Sequence, residues 1–411
     1  TFINDLKLRA SVGTTGTQNL TSFSNRDLYE ATSYNNLSAI IHKQVGNRDI
    51  RWEKSTQYDL GLDFALFDYR LTGSISGYIK DTKDLIWSFD FPPSATGGSM
   101  QMNRNIGALT NRGIEINLVG RVLSTKDWNL DLTLNMSHNK NKVTKLVEEG
   151  RAQSAMNVVV QGSYADQVLA VGYPMESSHW IAYSQYLGAF HGYEYAGIIQ
   201  DQARIDELNA YAKSKGQSYY DGNSLKPGHL EIKDLNGDGI INYNDRVIIG
   251  NPDPDLFGGL TANLSYKQFS LFANFGYQIG GLKIYNKTLQ NLPGQLTGLI
   301  DYGLNDRWSD TNKDAKYPAL YIGDGVPRLT DHELFNASFF RLQEVRLTYN
   351  LPLNKVIKGQ LFVSATNLFT LTSYPGTDPA TVNSNSNYGG NYETSTYPGF
   401  RSFSAGLKIN L

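Results

Sequence analysis

Apolar and polar residues alternate along much of the chain in short, paired runs. In the last eleven residues, Phe403, Ala405, Leu407, Ile409 and Leu411 alternate with small or polar residues. Successive side chains of a β-strand point to opposite faces, so a period of two places every apolar side chain on one face. The pattern predicts strands with one apolar and one polar face. A strand that runs to the last residue suggests a closed sheet.

Four further pairs of alternating segments predict hairpins, each folded at a very short turn. The turns are Phe67–Arg70, Ser124–Asp127, Lys267–Gln268 and Pro352–Lys355. An opening strand near Leu6–Val12 and the terminal strand bring the total to about ten strands, an even number. We therefore predict an all-β chain built from antiparallel hairpins.

The long connections between these hairpins all fall on one side. They cover residues 14–50, 88–102, 147–255, 281–337 and 368–399, whereas every short turn falls on the other side with the carboxyl terminus. This asymmetry is typical of bacterial outer-membrane barrels, which have short periplasmic turns and long extracellular loops. For a single hairpin the alternative is a half-buried strand pair of a soluble sandwich. For the whole chain we expect a transmembrane antiparallel β-barrel whose carboxyl terminus is periplasmic.

The composition supports a β-protein and argues against other classes. The chain has 26 Tyr, 39 Gly and only 5 Met, which favours strands with aromatic girdles over helical bundles. No apolar run is long enough for a helical membrane span. A net charge of −2, without basic runs among aromatics, argues against nucleic-acid binding. Residues 1–5 carry no leader pattern, which leaves a processed or partial chain, or a cytosolic one, open.

One loop has the acid and amide spacing of a calcium site of about twelve residues. The predicted oxygen ligands are Asp234, Asn236, Asp238, the Ile240 carbonyl, Asn242 and Asp245. Gly239 permits the sharp turn, but Asp245 stands where a bidentate glutamate is usual. The alternative is a solvated turn of Asx and Gly residues. A calcium ion here would stiffen the loop, because no nucleophile or acid–base pair lies beside it in sequence.

No motif points to catalysis. The six histidines have no HxH or HExxH spacing, and the chain has no cysteine. No GxSxG elbow, Walker A sequence or GxGxxG after a strand is present. We predict that the chain is not an enzyme.

Aromatic residues crowd the longest and the last predicted loops beside Asn and Asp residues. Such rings suit stacking and hydrogen bonding to sugars or peptides. The candidate substrate contacts are Trp180, Tyr183, Tyr186, Tyr219, Tyr220, Tyr388 and Tyr392. The alternative is local packing within the loops or an interfacial belt.

A single helix is predicted inside the longest loop. Ile205, Leu208 and Ala212 recur at helical spacing between Gln202 and Lys215. We expect these three side chains to form the apolar side of that helix.

Five strings of residues carry a family resemblance when they are taken together. They are Asn47–Asp63, Asn105–Glu115, Lys226–Gly228 with the following Asp234–Pro254, Arg307–Trp308 and Tyr397–Pro398. In combination they resemble the carboxyl-terminal part of the SusC/RagA family of TonB-dependent outer-membrane transporters of Bacteroidetes. The resemblance spans essentially the whole chain.

The resemblance implies a barrel of about 22 strands, of which this chain would supply about the last ten. It also implies an amino-terminal plug, a TonB box and a signal sequence, and none of these is found in the 411 residues. Two features depart from the family. Leu411 stands where the family prefers an aromatic residue, and Met175–Leu187 looks like an insertion that could make substrate- or partner-specific contacts.

The function implied by the resemblance is active import. A nutrient oligomer, captured with a SusD-like surface lipoprotein, would pass through the barrel when the TonB complex displaces the plug. We expect a glycan as substrate, with an oligopeptide as the alternative, and membrane lipid around the barrel. A self-contained passive pore or adhesin and a soluble calcium-dependent glycan-binding protein remain open as other classes.

Overall fold

The computed structural model describes most of the chain. The described residues are 2–18, 20, 22–34, 36–91, 100–145, 156–161, 166–172, 189–220, 225–285, 306–319, 330–352, 358–381, 392–393 and 399–410. The chain divides into two compact units. The first contains residues 1–119, 137–157 and 170–187, and the second contains 120–136, 158–169 and 188–411.

The principal sheet has ten strands in the order β1-β4-β5-β6-β7-β14-β15-β18-β19-β21. Their bounds are β1 Ile3–Thr17, β4 Glu53–Leu66, β5 Leu71–Phe91, β6 Met100–Ser124, β7 Trp128–Lys145, β14 Pro254–Tyr266, β15 Phe269–Gly280, β18 Phe339–Leu351, β19 Lys358–Thr372 and β21 Ser402–Asn410. Neighbours such as β1 and β4, or β19 and β21, pair antiparallel. The predicted all-β antiparallel class is confirmed, and β5 and β6 are longer than their apolar runs suggested.

In the first unit, strand register places the apolar residues in rows across one face. Val12 lies opposite Tyr58, which lies opposite Ile79 on the next strand. All three side chains are exposed to the surroundings. The other face is polar, and there the Arg9 Nε lies 2.7 Å from the Asp63 carboxylate. An exposed apolar face is unfavourable in water and suits contact with lipid.

The second unit repeats this division between faces. Leu347 lies opposite Val363, and Val363 lies opposite Ala405. On the opposite face the hydroxyl oxygens of Ser364 and Ser404 are 3.0 Å apart. The terminal strand therefore has the two faces that its alternation predicts.

Aromatic side chains gather where the strands meet the short turns. In the second unit the rings of Trp128 and Tyr266 are 4.2 Å apart, and those of Phe269 and Tyr349 are 4.8 Å apart. Rings at this level are typical of the aromatic girdle that flanks the apolar band of a membrane barrel. The turns thus lie at one edge of the apolar face.

The remaining elements belong to the long connections. They are β2 Leu28–Tyr34, β3 Leu37–Gln44, β8 Met156–Gln161, β9 Asp166–Gly172, β10 Ala189–Gly192, β11 Tyr195–Ile198, α1 Gln202–Ser214, β12 Leu230–Ile232, β13 Val247–Gly250, β16 Leu282–Tyr285, β17 Leu334–Asn336 and β20 Tyr392–Glu393. The predicted helix is confirmed as α1. Within the described part of the chain, no helix has the length and apolar character needed to cross a membrane.

Candidate functional site

The longest connection, between β7 and β14, folds into a small domain with its own core, and the connection between β15 and β18 adds two segments to it. We define the loop domain as described residues 189–220, 225–250, 306–319 and 330–338. Its distant segments are joined by hydrogen bonds, for example from the Asp331 amide to the Tyr193 carbonyl and from the Ala319 amide to the Gly228 carbonyl. The core residues are Tyr193, Ile199, Ile205, Leu208, Ala212, Tyr219, Tyr220, Ile232 and Ile241. A loop with its own apolar core can present a fixed surface to a solute or a partner protein.

Helix α1 supplies one wall of that core. Asp201 caps its amino terminus by accepting a hydrogen bond from the Arg204 amide at 2.9 Å. The Arg204 guanidinium lies 2.6 Å from Glu231 and 2.7 Å from Glu207. Hydrogen bonding to Glu231 and then to Glu207 raises the pKa of Arg204 above its ordinary value. The helix is therefore fastened to β12 by its charged side as well as by its apolar side.

Tyr219 and Tyr220 are core residues of the loop domain. Their side chains are only 4% and 2% exposed. Their hydroxyls donate hydrogen bonds to the carbonyls of Ile232 and Leu230. Burial, the largest cause in both cases, raises the pKa of each phenol above its ordinary value. Because neither ring faces solvent, the sequence-based assignment of these two residues to a substrate surface is corrected to a packing role.

The other five aromatic candidates are not brought to a described surface. Trp180, Tyr183, Tyr186 and Tyr388 lie outside the described residues. Tyr392 belongs to β20, whose backbone pairs in parallel with β16. Contact of these residues with substrate stays a prediction.

The Asp234–Asp245 loop is organised by hydrogen bonds from backbone amides to side-chain oxygens. The two Asp234 carboxylate oxygens accept from Gly237 and Gly239, each at 2.7 Å. The Asp245 carboxylate accepts from Leu235 at 3.0 Å and from Asn242 at 2.9 Å, and it is 0% exposed. Gly237 and Gly239 adopt φ angles of 72° and 87°, the left-handed region that favours glycine.

The three other predicted side-chain ligands follow the same pattern at shorter range. Asn236 accepts from the Asp238 amide, Asp238 accepts from the Ile240 amide, and Asn242 accepts from the Asn244 amide, at 2.8–3.0 Å. A carboxylate or amide oxygen has two lone pairs, so one such bond leaves capacity for a cation. The chemistry of the donor set therefore fits calcium.

Two further observations bear on the calcium prediction. Among the described residues, no three His, Asp or Glu side chains are close enough together to hold a metal ion. Burial, followed by the nearby Asp234 charge, raises the pKa of Asp245, against the lowering effect of its backbone hydrogen bonds. The loop is closed by its own hydrogen bonds, and calcium binding stays a prediction.

A second polar cluster was not singled out from the sequence. Arg341 and Asp378 form an ion pair, and each side chain is only 14% exposed. Lys283 is buried, donates from Nζ to the Asp378 and Thr381 carbonyls, and lies over the Tyr374 ring. The cluster borders a polar cavity of about 230 Å³. The sequence does contain one indication of this cluster, because Lys283 is a lone charged residue between the apolar Leu282 and Ile284.

The structure also brings the resemblance strings into contact. The Asn105 side chain accepts a hydrogen bond from the Arg51 amide at 2.8 Å and donates to the Arg51 carbonyl at 2.9 Å. The Trp308 indole donates to Gln200 at 2.9 Å and packs against Gly228. Strings that are far apart in sequence are therefore neighbours in the fold.

A family model supports these observations. The model for the TonB-dependent receptor-like β-barrel matches residues 1–228, more than half of the chain. The chain belongs to the TonB-dependent receptor family. The prediction of an outer-membrane β-barrel is thereby confirmed, as is the prediction that the chain is not an enzyme, because members of this family are receptors and transporters.

Individual relatives place the chain within the SusC/RagA type. It is 32% identical to TonB-dependent receptor P3 of Formosa agariphila, over 99% of this chain and 39% of that receptor. It is 27% identical to TonB-dependent receptor SusC of Bacteroides thetaiotaomicron, over 99% of this chain and 38% of that receptor. A solved structure of the RagAB peptide transporter is also similar, with a TM-score of 0.71 and 27% identity. The match covers 99% of this chain and 41% of the solved chain. The chain thus spans about 40% of the length of its relatives.

Proposed function

We propose that the chain forms the carboxyl-terminal part of the barrel of an active nutrient importer in the outer membrane. The observation that supports this most is the combination of a ten-stranded sheet with an exposed apolar face and a folded loop domain built from two of the long connections. The strands supply the wall in lipid, and the long loops are extracellular. Family membership favours import over a passive pore, an adhesin or a soluble lectin-like protein.

The proposed partners are a SusD-like surface lipoprotein and the TonB complex. The lipoprotein would deliver substrate at the long loops, where the loop domain has a rigid core. The TonB complex would act through the part of the relatives that these 411 residues do not span. The chain itself would contribute wall and loops rather than the energy-coupling contact.

A glycan oligomer is the first candidate substrate, on the basis of the aromatic and Asn-rich loops. An oligopeptide is the second candidate, because the solved RagAB structure with a TM-score of 0.71 is described as a peptide transporter. The identity of 27% to both SusC and RagAB does not favour either substrate. Both substrate classes are therefore included in the test.

The test is growth of a strain whose only copy of this transporter is the intact gene, on a panel of oligosaccharides and a panel of oligopeptides. We expect growth on at least one oligosaccharide, and loss of that growth when the gene for the partner lipoprotein or TonB is deleted. Growth on peptides only would move the proposal to the second candidate. Uptake that persists without TonB would contradict active import. A deletion of Met175–Leu187 tests the insertion separately, with barrel assembly checked by heat-dependent gel mobility.

Calcium binding to the Asp234–Asp245 loop is part of the proposal. Three carboxylates and two amide side chains contribute to this one loop, and the hydrogen bonds they accept do not exhaust their oxygen lone pairs. The ion would stiffen the loop domain and take no part in transport chemistry. A turn held only by Asx hydrogen bonds is the alternative.

A further inference from the structure

The polar cavity of the second unit lies at the loop ends of β18 and β19. Its volume of about 230 Å³ is several times the roughly 30 Å³ that one water molecule occupies. Arg341 of β18 and Thr370 of β19 line it and lie opposite each other in the sheet. Thr372, which is exposed, continues the lining along β19. Two neighbouring strands therefore fix one wall of the cavity.

The strand register shows which face of the sheet carries this wall. Phe275 has the same parity on β15 as Leu271, which lies opposite Leu347 on the apolar face. Phe340 stacks on Phe275 with the ring centroids 5.1 Å apart, so Phe340 is also on the apolar face. The next residue, Arg341, therefore lies on the polar inner face. The cavity faces the interior of the barrel and is separated from lipid by the wall.

Two segments of the last long connection complete the cavity. Asp378 and Pro379 line it from the segment that follows β19, and Gly399 and Arg401 line it from the segment that precedes β21. The two segments lie against each other, because a Cβ atom at Gly399 would be 3.3 Å from the Asp378 carboxylate. The cavity is thus built where a long loop leaves the barrel wall and returns to it.

Arg341 is held in position and keeps hydrogen-bonding capacity. Its Nε donates to the Thr370 hydroxyl at 2.9 Å, and its Nη2 pairs with the Asp378 carboxylate. Its guanidinium also lies 5.2 Å from the centre of the Phe339 ring. A guanidinium has five N–H donors, and the two hydrogen bonds use only two of them. Arg341 can therefore donate to a further anionic group.

Arg401 brings a second positive charge to the cavity. Its neighbours in sequence are attached to β19: the Asn367 amide donates to the Phe400 carbonyl at 3.3 Å, and the hydroxyl oxygens of Ser402 and Thr366 are 2.6 Å apart. The Arg401 side chain is exposed, and no acidic residue in the described part of the chain pairs with it. Its backbone is fixed while its charge is left for a ligand.

Cations outnumber carboxylates around this cavity. Among the lining residues, Asp378 is the single acidic group beside Arg341 and Arg401. Behind the same segment, Lys283 is only 2% exposed and donates from Nζ to the carbonyls of Asp378 and Thr381. One carboxylate cannot balance three cations, and charge that is withdrawn from water is stabilised by an opposite charge. The cavity is therefore suited to an anion.

We propose that this cavity binds the carboxylate of an acidic sugar, between Arg341 and Arg401, and that the imported glycan is an oligosaccharide containing uronic acids. Arginine recognises carboxylates through charge-assisted hydrogen bonds. Thr370, Thr372 and Asn367 also line the cavity, and their hydroxyl and amide groups suit the ring hydroxyls beside the carboxylate. The inference rests on glycan import under Proposed function and adds the charge of the substrate.

The test measures binding of acidic oligosaccharides to the intact, detergent-solubilised transporter by isothermal titration calorimetry. The panel contains oligogalacturonides, alginate oligosaccharides and glycosaminoglycan fragments. Each is compared with its carboxyl-reduced form, in which the acid has become a neutral alcohol on an otherwise unchanged sugar. We expect at least one acidic oligosaccharide to bind, and its reduced form to bind at least about tenfold more weakly, because the contacts with the guanidinium groups are lost.

Variants of Arg401 assign that preference to the cavity. Arg401→Gln should weaken binding of the acidic oligosaccharide by about tenfold, whereas Arg401→Lys, which keeps the charge, should lose less. Arg346→Gln is the matched control, because Arg346 is on the inner face of β18 and is paired with Glu344. It should change binding by less than about twofold. Arg341 is left unaltered because it holds Asp378, and heat-dependent gel mobility verifies that each barrel is folded.

Four results would overturn the proposal. They are the absence of any preference for an acidic oligosaccharide over its reduced form, unchanged affinity in Arg401→Gln, an equal loss in Arg346→Gln, and binding of acidic peptides only. Growth on a neutral oligosaccharide that requires TonB would also contradict an acidic substrate, but it would leave active import intact. Uptake without TonB would contradict import itself, so the two failures can be distinguished.

Discussion

Gly228 lies directly against the indole of Trp308, so that a Cβ atom at Gly228 would be 2.5 Å from the ring carbon Cε3. Gly228 also has a φ of +89°, which favours glycine. Its amide donates to the Ile199 carbonyl at 2.6 Å, and its carbonyl accepts from Ala319 at 2.8 Å. This glycine joins three separate segments of the loop domain.

We expect Gly228→Ala to loosen the loop domain. The new methyl group must displace the Trp308 ring, and the alanine backbone must keep a left-handed φ angle. Together these effects should lower the free energy of local unfolding by about 2–4 kcal/mol. Gly216→Ala is the control, because Gly216 has a φ of +77° with open space at its Cβ position. The control should lose only about 1 kcal/mol. Hydrogen exchange of residues 199–232 in the intact transporter measures both, and equal protection in the two variants would contradict the role of the contact.

The assignment of the lipid-facing side can be tested at two neighbouring residues of β19. Val363 is 54% exposed on the apolar face, whereas Ser364 shares the other face with Ser404. We expect Val363→Arg to reduce barrel assembly, since arginine on the lipid face costs up to about 2–4 kcal/mol. Ser364→Arg should be tolerated. The measurement is the heat-modifiable fraction in outer-membrane preparations, and the reverse order would show that the faces are exchanged.

Removing one member of the Arg341–Asp378 pair should destabilise the 374–381 segment. Asp378 also accepts a hydrogen bond from the Ala380 amide at 2.8 Å, so Arg341→Ala leaves a poorly solvated carboxylate in a structured turn. We expect a loss of about 3–5 kcal/mol in the local unfolding free energy. Arg346→Ala is the control, because Arg346 and Glu344 form an ion pair that is 49% and 33% exposed. That change should cost less than about 1 kcal/mol. Hydrogen exchange of residues 374–381 measures both variants, and comparable exchange rates in the two would contradict the prediction.

Calcium removal should open the Asp234–Asp245 loop. We expect chelation by EGTA to increase protease cleavage within residues 221–255, because three carboxylates would then lose the ion that balances their charge. Asp238→Ala should be cleaved at the same rate with and without calcium. Asp206→Asn, on the exposed side of α1, should keep the response to calcium. If the unaltered protein is cleaved equally in both conditions, the loop is an Asx turn without calcium.

The buried Asp245 predicts a pH dependence in the absence of calcium. Burial raises its pKa above the ordinary value of 3.8, so the folded loop favours the protonated acid relative to the opened loop. The stabilisation is fully present below the ordinary value and is lost as pH rises through the raised pKa. Protease protection of residues 233–247 in EGTA should therefore increase as pH is lowered from neutral towards 4. Asp245→Asn should remove this dependence, and a flat profile in the unaltered protein would contradict the assignment.

Local patterns predicted much of the fold. Two residues of a strand share a face when their separation in sequence is even. The common face of Phe403, Leu407 and Ile409 can therefore be predicted from the sequence without tertiary information. The same holds for α1, whose Ile205, Leu208 and Ala212 recur at helical spacing and are buried. The acid and amide spacing of the Asp234–Asp245 loop likewise predicted a tight turn of side-chain hydrogen bonds.

Only the tertiary structure decided the roles of residues whose partners are distant in sequence. Tyr219 and Tyr220 resemble binding residues in a polar loop, yet packing against α1 and β12 buries them. The contact between Gly228 and Trp308 closes a separation of 80 residues. The sequence by itself determined which strands and faces exist, because those depend on short-range geometry. The structure determined which side chains meet, because burial and cavities depend on long-range contacts that no local pattern encodes.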